Sequence, residues 1–229
     1  EYPRPTTVIN AAAYIPGGAT TNCDGHPAET LLANAILPIR LADACVERGF
    51  VLVQLSTGCL WNDGLEHAED DPPQRGFGGY SGTYVGAKLL AEQVVSTMPR
   101  HYIFRLRLPF DNVAHPRNYL TKLATYPEIF DQTNSISHRA DCVRACLELL
   151  EKSAPFGTYN VVNPGALAAE LIATSLFAQG IRTSQFKLVP GPGGAAILST
   201  AKLQAAGVTM RPVAEAFQDA LDNWNGKMA

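Results

Sequence analysis

The sequence lacks any apolar run long enough to cross a bilayer, and it shows no secretory signal pattern. It also lacks a basic stripe, because acidic and basic residues are interspersed and leave a net charge of −3. These absences argue against an integral membrane protein and against a protein that binds nucleic acid. The chain has 229 residues, of which 46% are apolar, enough to bury a sizeable core in a globular fold.

Metal-binding patterns are absent as well. The five cysteines contain no C-x-x-C pair, and the five histidines have no metal-ligand spacing, so we expect no metal site. Cysteines in apolar or helical contexts are typical of reduced thiols, which predicts a cytoplasmic protein. The cysteines are Cys23, Cys45, Cys59, Cys142 and Cys146.

A glycine-rich phosphate-binding turn of the type G-x-G-x-x-G or G-x-x-G-x-x-G is also missing from the sequence. The nearest approach to one is Gly191-Pro-Gly-Gly194. Its proline has no amide hydrogen to offer a phosphate, so we interpret this segment as a loop.

The first half of the chain alternates between β-rich apolar runs and segments of helical period. The predicted elements are strands at 7–12, 50–55 and 101–108 and helices at 28–48 and 81–98. Gly49 is placed to end the first helix, and Pro38 is expected to kink it. This βαβαβ order predicts an α/β fold with a Rossmann-like, doubly wound parallel sheet.

After Pro109 the pattern loosens into short helices and brief strands. The predicted helices lie near 117–125, 139–152, 166–179 and 212–224. We predict that residues 1–110 form the dinucleotide-binding core with the catalytic residues. Residues 111–229 are expected to form mostly a small substrate-binding cap, with a strand near 158–162 as a candidate to return to the core sheet.

Tyr84 and Lys88 lie four residues apart in a predicted helix, so their side chains share one face. A lysine cation would stabilise the phenolate and lower the tyrosine pKa from about 10, giving an acid/base near neutrality. The same spacing also occurs on ordinary helices, with a half-buried tyrosine and a solvated lysine. Thr57 favours the catalytic interpretation, because it follows a strand where parallel sheets bind ligands.

The order of these motifs resembles the extended short-chain dehydrogenase/reductase superfamily. The matching segments are Val8-Ile-Asn-Ala-Ala12, Ser56-Thr57 and Tyr84 to Lys88. The tail is similar to the closing segment of dTDP-4-dehydrorhamnose reductases. Its segments are Ser199-Thr-Ala-Lys-Leu203, Gly207 and Pro212-Val-Ala-Glu-Ala-Phe217.

Bifunctional nucleotide-rhamnose synthases, which act as 3,5-epimerase and 4-reductase, are more similar still. The similar segments are Ser56-Thr-Gly-Cys59, Arg105-Leu-Arg-Leu-Pro109 and Pro116-Arg-Asn-Tyr-Leu-Thr-Lys122. The resemblance implies reduction of a nucleotide-linked 4-keto-6-deoxyhexose to a nucleotide-L-rhamnose-type sugar, with NADP or NAD as cofactor. It also implies a homodimer formed through the helices at 28–48 and 81–98.

By the same resemblance, Tyr84 protonates the C4 carbonyl oxygen, Thr57 donates a hydrogen bond to it, and Lys88 holds the nicotinamide ribose. Cys59 and Lys122 match the family's candidates for the acid and base of epimerisation. Without the resemblance, a cysteine after a core strand usually packs, and a lysine on a short helix is usually solvated.

Other site residues are expected on weaker grounds. Asn10, Ala11 and Ala12 follow the first strand and would line the cofactor, although asparagine at a strand end is often a turn former. A guanidinium fork matches phosphate oxygens, so residues of two motifs are candidates for the substrate's diphosphate. These are Arg107, Arg117 and Asn118. The alternative for Arg117 is an ordinary surface arginine without a ligand.

The resemblance also implies a glycine-rich opening that this sequence does not contain. We expect that two βα units, roughly 60 residues, are missing from the front, so that the chain is a fragment or a natural variant with an impaired cofactor site. Two alternatives stay open: a non-catalytic binding or regulatory protein, and an epimerase or dehydratase without net reduction.

Overall fold

The computed structural model describes residues 6–191 and 195–226. Its strands are β1 Thr7–Asn10, β2 Val51–Thr57, β3 Glu66–His67, β4 His101–Leu106, β5 Pro109–Phe110, β6 Glu128–Asp131, β7 Thr133–Asn134, β8 Ser137–His138, β9 Gly157–Asn160, β10 Leu167–Ala168, β11 Lys187–Pro190 and β12 Ile197–Leu198. Its α-helices are α1 Pro27–Leu31, α2 Leu37–Arg48, α3 Gly82–Val95, α4 Tyr119–Thr125, α5 Arg139–Glu151, α6 Ala169–Ala178, α7 Ala201–Ala205 and α8 Val213–Asp222. Apart from Gly191, the predicted loop at 191–194 lies outside the described residues.

The central sheet consists of four parallel strands in the order β1-β2-β4-β9. This arrangement confirms the parallel sheet predicted from the βαβαβ order. The strand expected near 158–162 does return to the core, because β9 pairs with β4 from Tyr102 opposite Gly157 onward. All four carboxyl ends therefore lie along one edge, where open parallel sheets bind their ligands.

Helices cover both faces of this sheet, as a doubly wound fold requires. On one face α2 and α3 bury a cluster made of Ala42, Cys45, Leu52, Val95, Met98 and Ile103. On the other face α5 and α7 contribute to a cluster that includes Val53, Phe104, Cys142, Ala145, Leu149, Tyr159 and Leu203. Alternate residues of β2 and β4 point into the two clusters, so both strands are buried on both sides.

The first long helical segment is interrupted where the sequence predicts a kink. Pro38 has no N–H to donate, and its ring clashes with the carbonyl four residues earlier. The turn Leu32–Ile36 widens into a π-helix, in which the amide of Leu37 donates to the carbonyl of Leu32. The helix then continues as α2 to Arg48, and Gly49 ends it with a left-handed φ of 67°.

A second hydrophobic core lies between the helices that follow β5. It is built mainly from Phe110, Leu120, Ile136, Ile172, Leu176, Ala216, Phe217 and Leu221, contributed largely by α4, α6 and α8. Helix α5, although it falls in the half expected to form the cap, packs on the central sheet because the second face of that sheet needs a cover. The domain boundary at residue 110 stays a prediction. Over the described ranges, no helix is long and apolar enough to traverse a membrane.

Candidate active site

The candidate site begins where β2 ends. Thr57 is the last residue of β2 and is 4% exposed. Its Oγ1 accepts a hydrogen bond of 3.2 Å from the backbone amide of Cys59. Between them, Gly58 packs so closely that a Cβ atom placed on it would lie 2.5 Å from Cδ1 of Leu198. Glycine therefore lets the chain leave the sheet tightly, and it fixes where the next side chains point.

Tyr84 occupies the first turn of α3 and reaches toward this strand end. Its phenol is hydrogen-bonded to the side chain of Thr57, and the residue is 7% exposed. The hydrophobic cluster around the ring contains Cys23, Leu60, Trp61, Val85, Val162, Ala196 and Leu198. The structure thus brings together two of the three hydroxyl and amine groups that the sequence predicts as a set.

The pKa of Tyr84 does not follow the sequence prediction. Burial raises it above the usual value of 10, the nearby Cys59 adds to the rise, and only the hydrogen bond from Thr57 lowers it. The prediction that Lys88 acidifies the phenol is therefore wrong for this arrangement. A phenolate inside an apolar cluster loses its hydration, and the hydrogen bond from Thr57 does not compensate for that loss.

Lys88 lies one turn further along α3 and is 3% exposed. Its Nζ donates to the carbonyl oxygen of Leu55 on β2 at 3.1 Å. Burial lowers its pKa from 10.5 to about 8, while the negative charge of Glu92 opposes that shift. An ammonium group has three N–H donors, so within the described residues Nζ keeps donor capacity beyond this single hydrogen bond.

Cys59 lies next to the Thr57–Tyr84 pair, with its sulfur held by an arginine. Nη1 of Arg107 lies 3.2 Å from Sγ of Cys59 and 3.3 Å from the carbonyl oxygen of Gly58. The other edge of the guanidinium donates through Nε to Oδ1 of Asn134 at 3.0 Å. Arg107 is 7% exposed, so nothing in this packing supports its predicted contact with a diphosphate.

Lys122 lies on α4 and is tied to a different part of the chain. Its Nζ donates to the carbonyl oxygen of Gly18 at 2.6 Å. Partial burial lowers its pKa, and the positive charge of Arg117 lowers it further. The structure records no contact between Lys122 and Cys59 in the described ranges, so their pairing as acid and base stays a prediction.

The other two residues predicted to meet a diphosphate differ in their surroundings. Arg117 is exposed, which leaves its guanidinium accessible. Asn118 is 1% exposed, and its side chain is fully engaged inside the protein. Its Oδ1 caps α4 by accepting from the amide of Leu120 at 2.9 Å, and its Nδ2 donates to Asp111 and Val113. Asn118 therefore shapes the loop before α4.

Asn10 ends β1 at the same edge of the sheet. Its Nδ2 donates to Oε1 of Gln54 at 2.7 Å, and its Oδ1 accepts from the amide of Ala12 at 3.2 Å. The second bond forms an Asx turn, which explains why β1 stops before the predicted limit at residue 12. The turn leaves Ala11 and Ala12 exposed at the carboxyl edge of the sheet.

The model of the RmlD substrate binding domain family matches residues 1–226 of this chain. The chain belongs to this family. It is 29% identical over 177 residues to a bifunctional dTDP-4-dehydrorhamnose 3,5-epimerase/dTDP-4-dehydrorhamnose reductase of Arabidopsis thaliana, an alignment that covers 73% of this chain and 57% of the relative. It is 26% identical over 174 residues to a trifunctional enzyme of the same plant, named UDP-glucose 4,6-dehydratase/UDP-4-keto-6-deoxy-D-glucose 3,5-epimerase/UDP-4-keto-L-rhamnose-reductase, and this alignment covers 72% of this chain and 25% of the relative.

The chain therefore spans about half the length, or less, of these curated relatives. Among solved structures, it is similar to the UDP-rhamnose synthase of Acanthamoeba polyphaga mimivirus, with a TM-score of 0.82 and 19% identity over 96% of this chain and 83% of that one. It is also similar to a dTDP-4-dehydrorhamnose reductase of Bacillus anthracis in complex with NADP, with a TM-score of 0.77 and 20% identity over 96% of this chain and 80% of that one. These structures confirm the predicted Rossmann-like fold.

Within this member of the RmlD family, a buried ion pair lies behind Lys88. Glu92 follows Lys88 by one helical turn and is 4% exposed. Its carboxylate accepts from Nη2 of Arg105 at 2.7 Å and from Nε at 3.1 and 3.2 Å. The Arg105 guanidinium also lies 5.2 Å from the centre of the Trp61 ring and donates to the carbonyl oxygen of Glu69 at 2.9 Å.

This pair is not among the residues predicted from the sequence. Two features of the sequence could have indicated it. Arg105 is a charged residue inside a predicted strand, and Glu92 is an acidic residue one helical turn after Lys88. Buried charges are almost always paired, so a strand arginine in an apolar context predicts an acidic partner. Ser56 was also given no role, yet within the described residues its buried hydroxyl has no hydrogen-bond partner.

No group of histidine, cysteine or acidic side chains that could hold a metal ion occurs within 6–191 and 195–226. All five cysteines are free thiols in this structure.

Proposed function

We propose that this protein reduces a nucleotide-linked 4-keto-6-deoxyhexose with NADPH or NADH, and that it also epimerises the sugar at C3 and C5. The product is a nucleotide-linked sugar of the L-rhamnose type. The hydrogen bond between Tyr84 and Thr57 at the carboxyl end of β2 carries this proposal. It is supported by relatives named as 3,5-epimerases and 4-reductases and by a similar structure that holds NADP.

In the reduction, Tyr84 is the proton donor. Its raised pKa keeps the phenol protonated at neutral pH, so it gives up the proton only as the C4 oxygen becomes a strongly basic alkoxide. The single O–H of Thr57 donates to this phenol in the free protein, and on substrate binding it would turn to donate to the C4 oxygen. Lys88, with a pKa of about 8, is mostly charged at pH 7, and its remaining N–H donors would hold the nicotinamide ribose.

The residues present fit the nicotinamide and ribose end of a dinucleotide. Lys88 retains N–H donors for ribose hydroxyls, and next to Thr57 the buried Ser56 hydroxyl has no hydrogen-bond partner among the described residues. Ala11 and Ala12 are exposed beyond β1. The dinucleotide supplies the hydride when it is bound. For the pyrophosphate, the 229 residues contain no glycine-rich turn.

Epimerisation needs no hydride and can rest on this chain's own side chains. The C4 ketone acidifies the C–H bonds at C3 and C5, so a base can remove either proton and leave an enolate with its charge on O4. Tyr84 and Thr57, which would bind O4 in reduction, would also stabilise this enolate. Cys59 and Lys122 are the proposed base and acid for the two faces of the ring.

A second candidate function is epimerisation without net reduction. The specific observation that favours it is the contact between the Cys59 sulfur and the Arg107 guanidinium, because a sulfur held beside Thr57 serves proton transfer at a ring carbon and has no part in hydride transfer. Tyr84, Thr57 and Cys59 would serve the same enolate in either case.

The experiment separates the two activities. The protein is incubated with dTDP- or UDP-4-keto-6-deoxyglucose and NADPH, and absorbance at the nicotinamide band is followed. A parallel sample without NADPH is kept in D₂O, and deuterium at C3 and C5 is measured by mass spectrometry. We expect NADPH consumption and deuterium uptake. Deuterium uptake without NADPH consumption would favour the epimerase without net reduction. If neither deuterium uptake nor NADPH consumption is seen, the result would favour a non-catalytic binding protein.

We further propose a cytoplasmic homodimer. Apolar side chains remain exposed on the helical segment 27–48 and on α3, namely Leu32, Ile36, Leu37, Val46 and Leu90, and pairing of these surfaces would cover them. Sedimentation equilibrium tests the dimer, and a monomer at micromolar concentration would contradict it.

A further inference from the structure

Arg107 connects three separate segments of the chain through one buried guanidinium. It follows β4 and is 7% exposed. Nη1 contacts Sγ of Cys59 at 3.2 Å and the carbonyl oxygen of Gly58 at 3.3 Å. Nε and Nη2 donate to Oδ1 of Asn134, which also accepts from the backbone amide of Ala196 at 3.2 Å.

We propose that Arg107 is a positioning residue that holds the sulfur of Cys59 in place for proton transfer to and from the sugar ring. This inference rests on the proposed epimerase activity. It replaces the diphosphate contact predicted from the sequence with a role inside the protein, because the guanidinium already has partners on both of its edges.

The geometry of the guanidinium explains how it can fix a sulfur atom. Arginine presents its donors in a rigid, planar fork. Nε and Nη2 both donate to Asn134, and these two hydrogen bonds prevent the guanidinium from rotating. Nη1 is therefore held facing the sulfur of Cys59. A cysteine side chain has one rotatable torsion, χ1, and the contact with Nη1 favours one of its χ1 rotamers.

The charge of the guanidinium suits the same role. The thiolate is the form of cysteine that accepts a proton from carbon, and Nη1 of Arg107 lies 3.2 Å from the sulfur that would do so. In the proposed step the sulfur takes a proton from the ring carbon, the C–H bond breaks, and its electron pair forms the enolate with charge on O4. An acid on the other face then returns a proton to carbon. Arg107 stays protonated throughout.

A second arginine offers a matched control, because it touches Cys59 at the backbone only. Nη1 of Arg75 donates to the carbonyl oxygen of Cys59 at 3.1 Å, and its Nη2 donates to the carbonyl oxygen of Tyr80. Arg75→Lys therefore disturbs the same residue without removing the donor at sulfur. Arg107→Met removes that donor, and Arg107→Lys keeps the charge but loses the fork.

The test compares these three variants with the unmodified protein. In Arg107→Met, deuterium uptake at C3 or C5 without NADPH should fall at least tenfold, while NADPH consumption with the pre-epimerised 4-keto-L-rhamnose nucleotide changes less than threefold. Arg107→Lys should lose less uptake than Arg107→Met. Arg75→Lys should stay within twofold in both assays. Equal losses of both activities in Arg107→Met would overturn the proposal and leave Arg107 a structural role.

A second readout does not depend on turnover. The rate of alkylation of Cys59 by iodoacetamide at pH 7, located by peptide mass spectrometry, should fall at least fivefold in Arg107→Met and stay within twofold in Arg75→Lys. If Arg107→Met does not fold, Arg107→Lys decides, with an expected fall of at least twofold. An unchanged rate in Arg107→Lys would then overturn the proposal. If the unmodified protein takes up no deuterium, the proposed epimerase fails, and alkylation still tests the contact at sulfur.

Discussion

Lys88 binds the strand behind it: its Nζ lies 3.1 Å from the carbonyl oxygen of Leu55. This contact fixes α3 against β2, and it places a buried ammonium beside the strand that ends at Thr57. Burying a charge in this way costs stability, and the lowering of the Lys88 pKa to about 8 measures that cost. A lysine retained under such conditions suits a role in function better than one in stability.

Replacing this lysine should stabilise the fold. Because the folded pKa of about 8 lies below the ordinary 10.5, the unfolded chain binds more protons between these two values. Stability of the unmodified protein therefore rises as pH increases through that window. Lys88→Met should raise the free energy of unfolding at pH 7 by about 1–3 kcal/mol, and the difference should shrink by pH 9.5. Urea denaturation at both pH values measures it.

Lys187 provides the control for this measurement, because its side chain is 74% exposed. Lys187→Met should change stability by less than about 0.5 kcal/mol at either pH. A Lys88→Met difference that does not vary between pH 7 and pH 9.5 would contradict the assigned pKa.

Removing the Tyr84 hydroxyl should greatly lower the reduction rate and change the free energy of unfolding only slightly. Tyr84→Phe keeps the ring in its apolar cluster and loses the bond to Thr57. NADPH consumption should fall by about 10²–10⁴-fold, with a change in unfolding free energy near 1 kcal/mol. Steady-state kinetics and urea denaturation measure the two effects. Retention of more than a third of the rate would exclude Tyr84 as the proton donor.

The buried pair of Glu92 and Arg105 should contribute strongly to stability. Glu92→Gln leaves the Arg105 guanidinium buried without its charged partner, so we expect a loss of about 3–5 kcal/mol. The same change removes the negative charge that raises the Lys88 pKa, so that pKa should fall further. A double-mutant cycle with Arg105→Met measures the coupling. Glu148→Gln, at a largely exposed pair with Arg144, should cost less than about 0.5 kcal/mol.

The sequence predicts the core elements well because their signals are local. Period-2 and helical patterns place β2, β4 and α3 within a few residues of their observed limits, and Gly49 ends its helix as expected. The limits shift where a side chain intervenes. Asn10 closes a turn that shortens β1, and Pro38 produces a π-turn instead of a simple kink.

The site is predicted less completely because its environment depends on contacts between distant segments. The pairing of Tyr84 with Thr57 follows from strand and helix placement. The pKa of Tyr84 does not, since it depends on burial by residues as far away as Val162 and Leu198. Arg107 shows the same limit: its motif suggests phosphate binding, but Asn134 and Cys59 determine where the guanidinium lies.

A side chain at Gly58 should destabilise the protein, and a smaller residue at position 198 should reduce that loss of stability. A Cβ at this position would lie 2.5 Å from Cδ1 of Leu198, which is 4% exposed and therefore has little room to move. Gly58→Ala should cost about 1–3 kcal/mol through overpacking, and it should lower the reduction rate by displacing Thr57. Leu198→Ala opens space at this point, so the double variant should lose less stability than the sum of the two single changes. Urea denaturation of all four proteins measures the coupling, and strictly additive losses would show that Leu198 does not set the geometry of this turn.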